Sequence, residues 1–136
     1  MTQTESPAYN DSPTNPGDPG TLILENERVR IWELVMKPGE ICNWHIHEFD
    51  HLLVLVNGGD VTATLADGAT IEAPFPDNVV LFVPKGTQPE IAKNTSPDRT
   101  LRELIIEFKD PSPATELAME MVQFFQDGTP TTCRPE

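Results

Sequence analysis

Three shortages bound what this chain of 136 residues can be. Cationic side chains are scarce, with 9 Lys plus Arg against 22 Asp plus Glu and a formal net charge of −13. A phosphate-binding surface needs clustered positive charge, and no run of Lys or Arg occurs, so nucleic acid is excluded as the expected partner. Cysteine is scarce as well. Cys42 and Cys133 are the only two, too few for the disulfide framework of a small secreted fold, and both are read as reduced thiols. Long apolar runs are missing, and none approaches the roughly 18 residues of a membrane span. The first 20 residues lack a basic n-region and an apolar h-region, so the expectation is a soluble, cytoplasmic protein without a membrane partner. Also absent are a Gly-rich phosphate loop, a Ser-His-Asp set and a cysteine pair of zinc-ribbon spacing, so no nucleotide cofactor is indicated.

What is present begins with a change of composition. Residues 1–20 carry Pro7, Pro13, Pro16 and Pro19, several acidic groups and almost no large apolar side chain. Such a segment buries too little to offset its ordering entropy and is expected to be a disordered arm. From Thr21 onward, short β-branched and aromatic runs alternate with turn residues: TLILE, RVRIWELVM, ICNWHIH, HLLVLV, VTATLA, ATIEA, NVVLFV, PEIAKN and RTLRELIIEF. Asn57-Gly58-Gly59 and Asp67-Gly68 read as hairpin signals. About nine short strands at short spacing are the mark of an all-β sandwich or barrel over residues 21–110. Near the C-terminus the period changes. Ser112-Pro113 suits an N-cap and first helical position, and Leu117, Met121, Phe124 and Phe125 fall on one helical face. Residues 111–128 are therefore expected to form one amphipathic helix packed on the barrel or a partner, with 129–136 a flexible tail.

All three histidines, His45, His47 and His51, lie within seven residues. Successive side chains of a strand alternate faces, so His45 and His47 point the same way. A bend at Glu48-Phe49-Asp50 brings His51 onto the same interior face. Three neutral imidazoles converging in a barrel suit one borderline divalent ion: Fe(II) or Zn first, with Ni, Cu, Co or Mn as alternatives. Cys42 has the wrong parity to add a ligand, and Trp44 faces away from His45 in a packing role. Trp32 and Phe82 are candidate cavity walls. Glu103 and Glu107 share a face, with solvation as the default reading and a general base as the alternative.

These residues resemble the cupin family. Its first motif, G-x5-H-x-H-x3,4-E-x6-G, is met by Gly39, His45, His47, His51 and Gly58 at every spacing, with His51 in place of the glutamate. Its second, G-x5-P-x-G-x2-H-x3-N, is met in part by Pro84-Lys85-Gly86. Pro89 stands in the histidine slot, Asn94 falls one residue late, and Asp77 or Asn78 stands for the first glycine. Gln88 or Glu90, flanking the vacant slot, could supply a weaker ligand, but alternation counted from Pro89 disfavours both by turning them away from the interior. The resemblance implies a double-stranded β-helix (jelly-roll) barrel and a metal site on His45, His47 and His51. It further implies a metal-dependent enzyme acting on a small anionic or chelating metabolite, by Fe(II) dioxygenase chemistry. The alternatives are a Zn or Ni lyase, isomerase or cyclase, and a non-catalytic binding or sensing barrel. A homodimer covering the apolar Leu52, Val54 and Val56 is the expected assembly.

Overall fold

Alternation and turn chemistry explain most of the architecture seen in the computed structural model, which describes residues 20–86, 88–110 and 119–124. Among the described residues nine strands run in order: β1 (Thr21–Glu25), β2 (Val29–Met36), β3 (His51–Asn57), β4 (Gly59–Leu65), β5 (Thr70–Phe75), β6 (Val79–Val83), β7 (Glu90–Asn94), β8 (Leu101–Phe108) and β9 (Glu120–Gln123). They form a six-stranded sheet, β1-β2-β8-β3-β6-β9, and a three-stranded sheet, β5-β4-β7, and every pairing is antiparallel. The two sheets enclose an interior lined by Trp32, Leu34 and Met36 of β2, Leu55 of β3, Val61 of β4, Val79 and Leu81 of β6, Ile91 of β7, and Leu101 and Ile105 of β8. Every second residue of β8 faces inward, in the sequence Leu101, Glu103, Ile105, Glu107. The described part is all β, and no helix in it is long and apolar enough to cross a membrane.

The two hairpin signals meet different fates. Asp67-Gly68 turns β4 into β5, with Gly68 at φ 92° and the Asp67 carboxylate accepting from the Ala69 amide at 2.9 Å. Asn57-Gly58-Gly59 makes no hairpin, because β3 and β4 belong to different sheets. The chain crosses there between layers. A Cβ on Gly58 would lie 2.0 Å from the Phe75 carbonyl oxygen, so the glycine serves close backbone approach rather than turn geometry.

The expected C-terminal helix is corrected where it is described. Residues 120–123 form β9, paired with β6 through Phe82↔Glu120, Leu81↔Met121, Val80↔Val122 and Val79↔Gln123. Without β9, the free edge of β6 would leave amides and carbonyls unpaired, and pairing them outweighs a helical period that rests on few positions. Residues 111–118 and 125–136, with the remainder of that helix, the tail and Cys133, lie outside the described residues, as does the arm over 1–19.

Candidate metal centre

The segment after Gly39 is not a regular strand. It flanks β7 through two isolated bridges, Ile41↔Lys93 and His45↔Glu90. In the second, the His45 amide donates to the Glu90 carbonyl at 3.0 Å and the Glu90 amide to the His45 carbonyl at 2.8 Å. Residues that exchange both hydrogen bonds stand directly opposite and project side chains to the same face. The pairing therefore delivers the Glu90 carboxylate to His45 and, two residues on, to His47.

Three donor groups converge as a result. The ligand atoms of His45, His47 and Glu90 all lie within 4.8 Å of one another. His47 Nε2 is 3.0 Å from Glu90 Oε1, His45 Nε2 is 4.0 Å from the same oxygen, and the two Nε2 atoms are 3.1 Å apart. His51, at the start of β3, stacks on His47 with ring centroids 4.1 Å apart. It borders the same cavity beside the three-residue cluster, and its Nε2 is buried without a partner among the described residues.

Backbone carbonyls orient two of the rings in the same way. The Asn43 carbonyl lies 2.8 Å from His45 Nδ1, and the Phe49 carbonyl lies 2.9 Å from His51 Nδ1. A carbonyl only accepts, so in each neutral imidazole Nδ1 carries the proton and Nε2 keeps its lone pair. Burial, and then the neighbouring His47, push both rings down to about 4, so both are neutral at pH 7. Burial pushes the Glu90 carboxyl up, but the His47 hydrogen bond and the three imidazoles outweigh it. The net pKa lies below the usual carboxylate value. A carboxylate beside two imidazoles, His45 and His51, whose Nε2 atoms keep their lone pairs, with His47 Nε2 aimed at the same carboxylate, is a donor set that fits a divalent ion.

The surrounding residues sort clearly. Cys42 is buried with its thiol pushed up to about 12 by burial, which keeps it protonated and out of the ligand set. Trp44 packs against the core. Trp32 and Phe82 do not wall the cavity. Leu81 and Val83 of β6 do, so Phe82 faces the opposite side, and Trp32 donates its Nε1–H to Glu107 at 2.6 Å. Solvation of Glu103 and Glu107 is corrected, since both are buried. Glu107 Oε1 also accepts from Arg30 Nε at 2.7 Å, while Glu103 lines the cavity of about 360 Å³ beyond the histidines.

No protein-family model matches the chain, and no curated protein matches it. Solved structures do. The chain is similar to a cupin domain from Bordetella pertussis Tohama I, at 28% identity over 67% of this chain and 95% of that one, with a TM-score of 0.58. It also resembles an RmlC-like cupin with a double-stranded β-helix fold from Methanocaldococcus jannaschii, at 18% identity over 79% of this chain and 92% of that one, with a TM-score of 0.50. The chain belongs to the cupin superfamily.

The cupin fold explains why the second motif looks broken. One extra residue follows Gly86, and with it the pattern reads Asn78-x5-Pro84-x-Gly86-x3-Glu90-x3-Asn94. Asn78 takes the glycine place at φ 57°, a left-handed conformation that asparagine tolerates better than most residues. Asn94 is fully buried, donates to the carbonyls of Met36 and Arg99 at 2.8 Å each, and accepts from the Ser96 amide. Glu90 then holds the place of the second-motif histidine. The turning away of Glu90 inferred from parity is thereby corrected, because that count started one residue early. His51 stands where the first motif has glutamate and Glu90 where the second has histidine, so the two residue types have changed places between the motifs.

Proposed function

We propose that this cupin is a metal-dependent enzyme acting on a small anionic or chelating metabolite, with Fe(II)-dependent dioxygenation as its chemistry. The observation that carries the reading is the convergence of His45, His47 and Glu90, with donor atoms within 4.8 Å, at one end of a cavity lined mainly by apolar side chains. Two imidazoles and one carboxylate with positions left open are the donor set of non-haem Fe(II) oxygenases. His51, buried beside them with an Nε2 that has no partner among the described residues, is the natural fourth ligand. When bound, the ion would supply Lewis-acid polarisation of a chelating substrate and, as iron, activation of dioxygen.

The chain's own residues perform the remaining tasks. The Asn43 and Phe49 carbonyls hold the His45 and His51 rings in the tautomer that presents Nε2. The Glu90 carboxylate would offset one unit of the ion's positive charge, and the hydrogen bond it accepts from His47 holds that ring in place. Aliphatic walls, among them Leu53, Leu81 and Ile105, exclude water from a substrate seated beside the cluster.

Elemental analysis of the purified protein, before and after anaerobic reconstitution with Fe(II), Zn and Ni, tests the reading. One ion per chain is expected, with iron supporting oxygen consumption. Retention of zinc or nickel alone would redirect it to redox-neutral chemistry. A chain that takes up no ion under any condition would be a binding barrel instead.

A further inference from the structure

The inner face of β8 carries two buried carboxyls in unlike settings. Glu107 stands opposite His51 of β3 in the sheet register and is paired with Arg30 and Trp32. Glu103 stands opposite Leu55 of β3 and Leu34 of β2, with Ile105 between it and Glu107 on the same face. Four residues of strand separate the two levels by about 13 Å. Among the described residues Glu103 has no hydrogen bond and no ion pair, although it is 7% exposed. Its carboxyl opens into the cavity, among Leu34, Met36, Val61, Leu101 and Ile105. The titratable group that acts on it from a facing element is Glu90 of β7, and Glu103 in turn acts on Cys42.

A carboxyl set among apolar cavity walls costs free energy that leucine would not, and it makes no hydrogen bond with the described residues. The cavity thus has a polar cluster, apolar walls, and one further hydrogen-bonding group four residues along β8 from the level of His51. We propose that Glu103 is a second contact for the ligand of this cavity, and that the ligand is an aromatic or branched molecule with an oxygen-chelating group at one end and a hydroxyl or carbonyl toward the other. The proposal rests on the metal reading above. Burial, and then the charge of Glu90, push the Glu103 carboxyl up to about 8. At neutral pH it therefore holds its proton for the most part, and offers a donor and an acceptor to an uncharged partner.

The test uses hydroxamate probes, which grip a divalent ion through two oxygens. Benzohydroxamic acid is compared with its 3-hydroxy and 4-hydroxy analogues on the Zn-loaded or Co(II)-loaded protein by titration calorimetry. At least one hydroxylated probe is expected to bind about tenfold tighter than the unsubstituted one, as for a hydrogen bond to a buried polar group. Glu103→Leu should bring the hydroxylated and plain probes within about twofold of each other, with ion stoichiometry and plain-probe affinity retained. Glu103→Gln, which keeps a donor and an acceptor, should preserve most of the preference. An undiminished preference in Glu103→Leu overturns the proposal. So does a parent protein that binds the ion but fails to favour either hydroxylated probe, or binds no hydroxamate. A parent that takes up no ion defeats the metal reading itself, and the two failures are told apart by the ion content.

Discussion

Glu107 and Glu103 lie on one strand, on one face and at nearly equal burial, yet the two ends of the barrel treat them differently. At the Glu107 end the carboxylate is bonded to Arg30 and Trp32, the Arg30 guanidinium lies 5.3 Å over the rings of Trp32 and Phe49, and His51 faces it across the ladder. At the Glu103 end the same side chain sits among aliphatics with no partner among the described residues. Burial alone therefore does not define a role. A networked carboxylate belongs to the framework that supports the site, and an unpartnered one facing a cavity is held for something that enters it.

The largest effect expected from this contrast is on the ion. His47→Ala should weaken metal uptake by at least about 100-fold, since it removes a ligand rather than an outer-shell partner. Competition with a chromophoric chelator measures it, and near-parent affinity would dissolve the distinction between the two ends. Next comes a paired comparison on β8. Glu107→Leu should cost about 3 kcal/mol in urea unfolding, because it strands Arg30 and the Trp32 indole. Glu103→Leu should be neutral or stabilising by about 1 kcal/mol. Equal losses in both variants would mean that Glu103 is framework too.

The two ends should also titrate with opposite sign. Glu103 keeps its proton to about pH 8 in the folded protein against an ordinary value of 4.5. Between those limits the native state binds more protons than the unfolded state. Stability in the metal-free protein therefore falls as pH rises through that window, by at most about 1.4 kcal/mol per pH unit. His45 and His51 are held at about 4 against 6.5, so the unfolded chain binds more protons below 6.5 and stability falls as pH drops toward 4. Unfolding curves of Glu103→Leu at pH 5 to 8 should lose the first slope and retain the second. A parent-like slope between pH 7 and 8 in that variant would assign the titration elsewhere. A smaller loss than that of Glu107→Leu is expected for Trp32→Phe. It removes one of the two donors to Glu107 and should cost about 1 kcal/mol, less than Glu107→Leu if Arg30 is the stronger partner.

Local pattern was enough for much of this molecule. Period-two alternation and turn residues mark eight of the nine strands, the Asp67-Gly68 hairpin, and the shared face of His45 and His47, because each depends on neighbours within a few residues. The first cupin motif was readable for the same reason, since all of it lies between Gly39 and Gly58. The place of Glu90 beside His45 and His47 was not, since alternation disfavoured it. It meets His45 through a bridge between residues 45 positions apart, and one extra residue after Gly86 inverts any parity counted from the proline. The Asn94 spacing was the one signal for it, since Glu90-x3-Asn94 restores the motif. Residues 120–123 became β9 because the edge of β6 was open to pairing, and a local helical period carries no information about a distant free edge. Alternation grouped Glu103 with Glu107 but did not say which face of β8 looks inward, as Leu104 and Ile106 make the outer face apolar as well. The sequence by itself determined which side chains share a face. Only the tertiary structure decided which faces meet, because that depends on strand pairings between segments far apart in the chain.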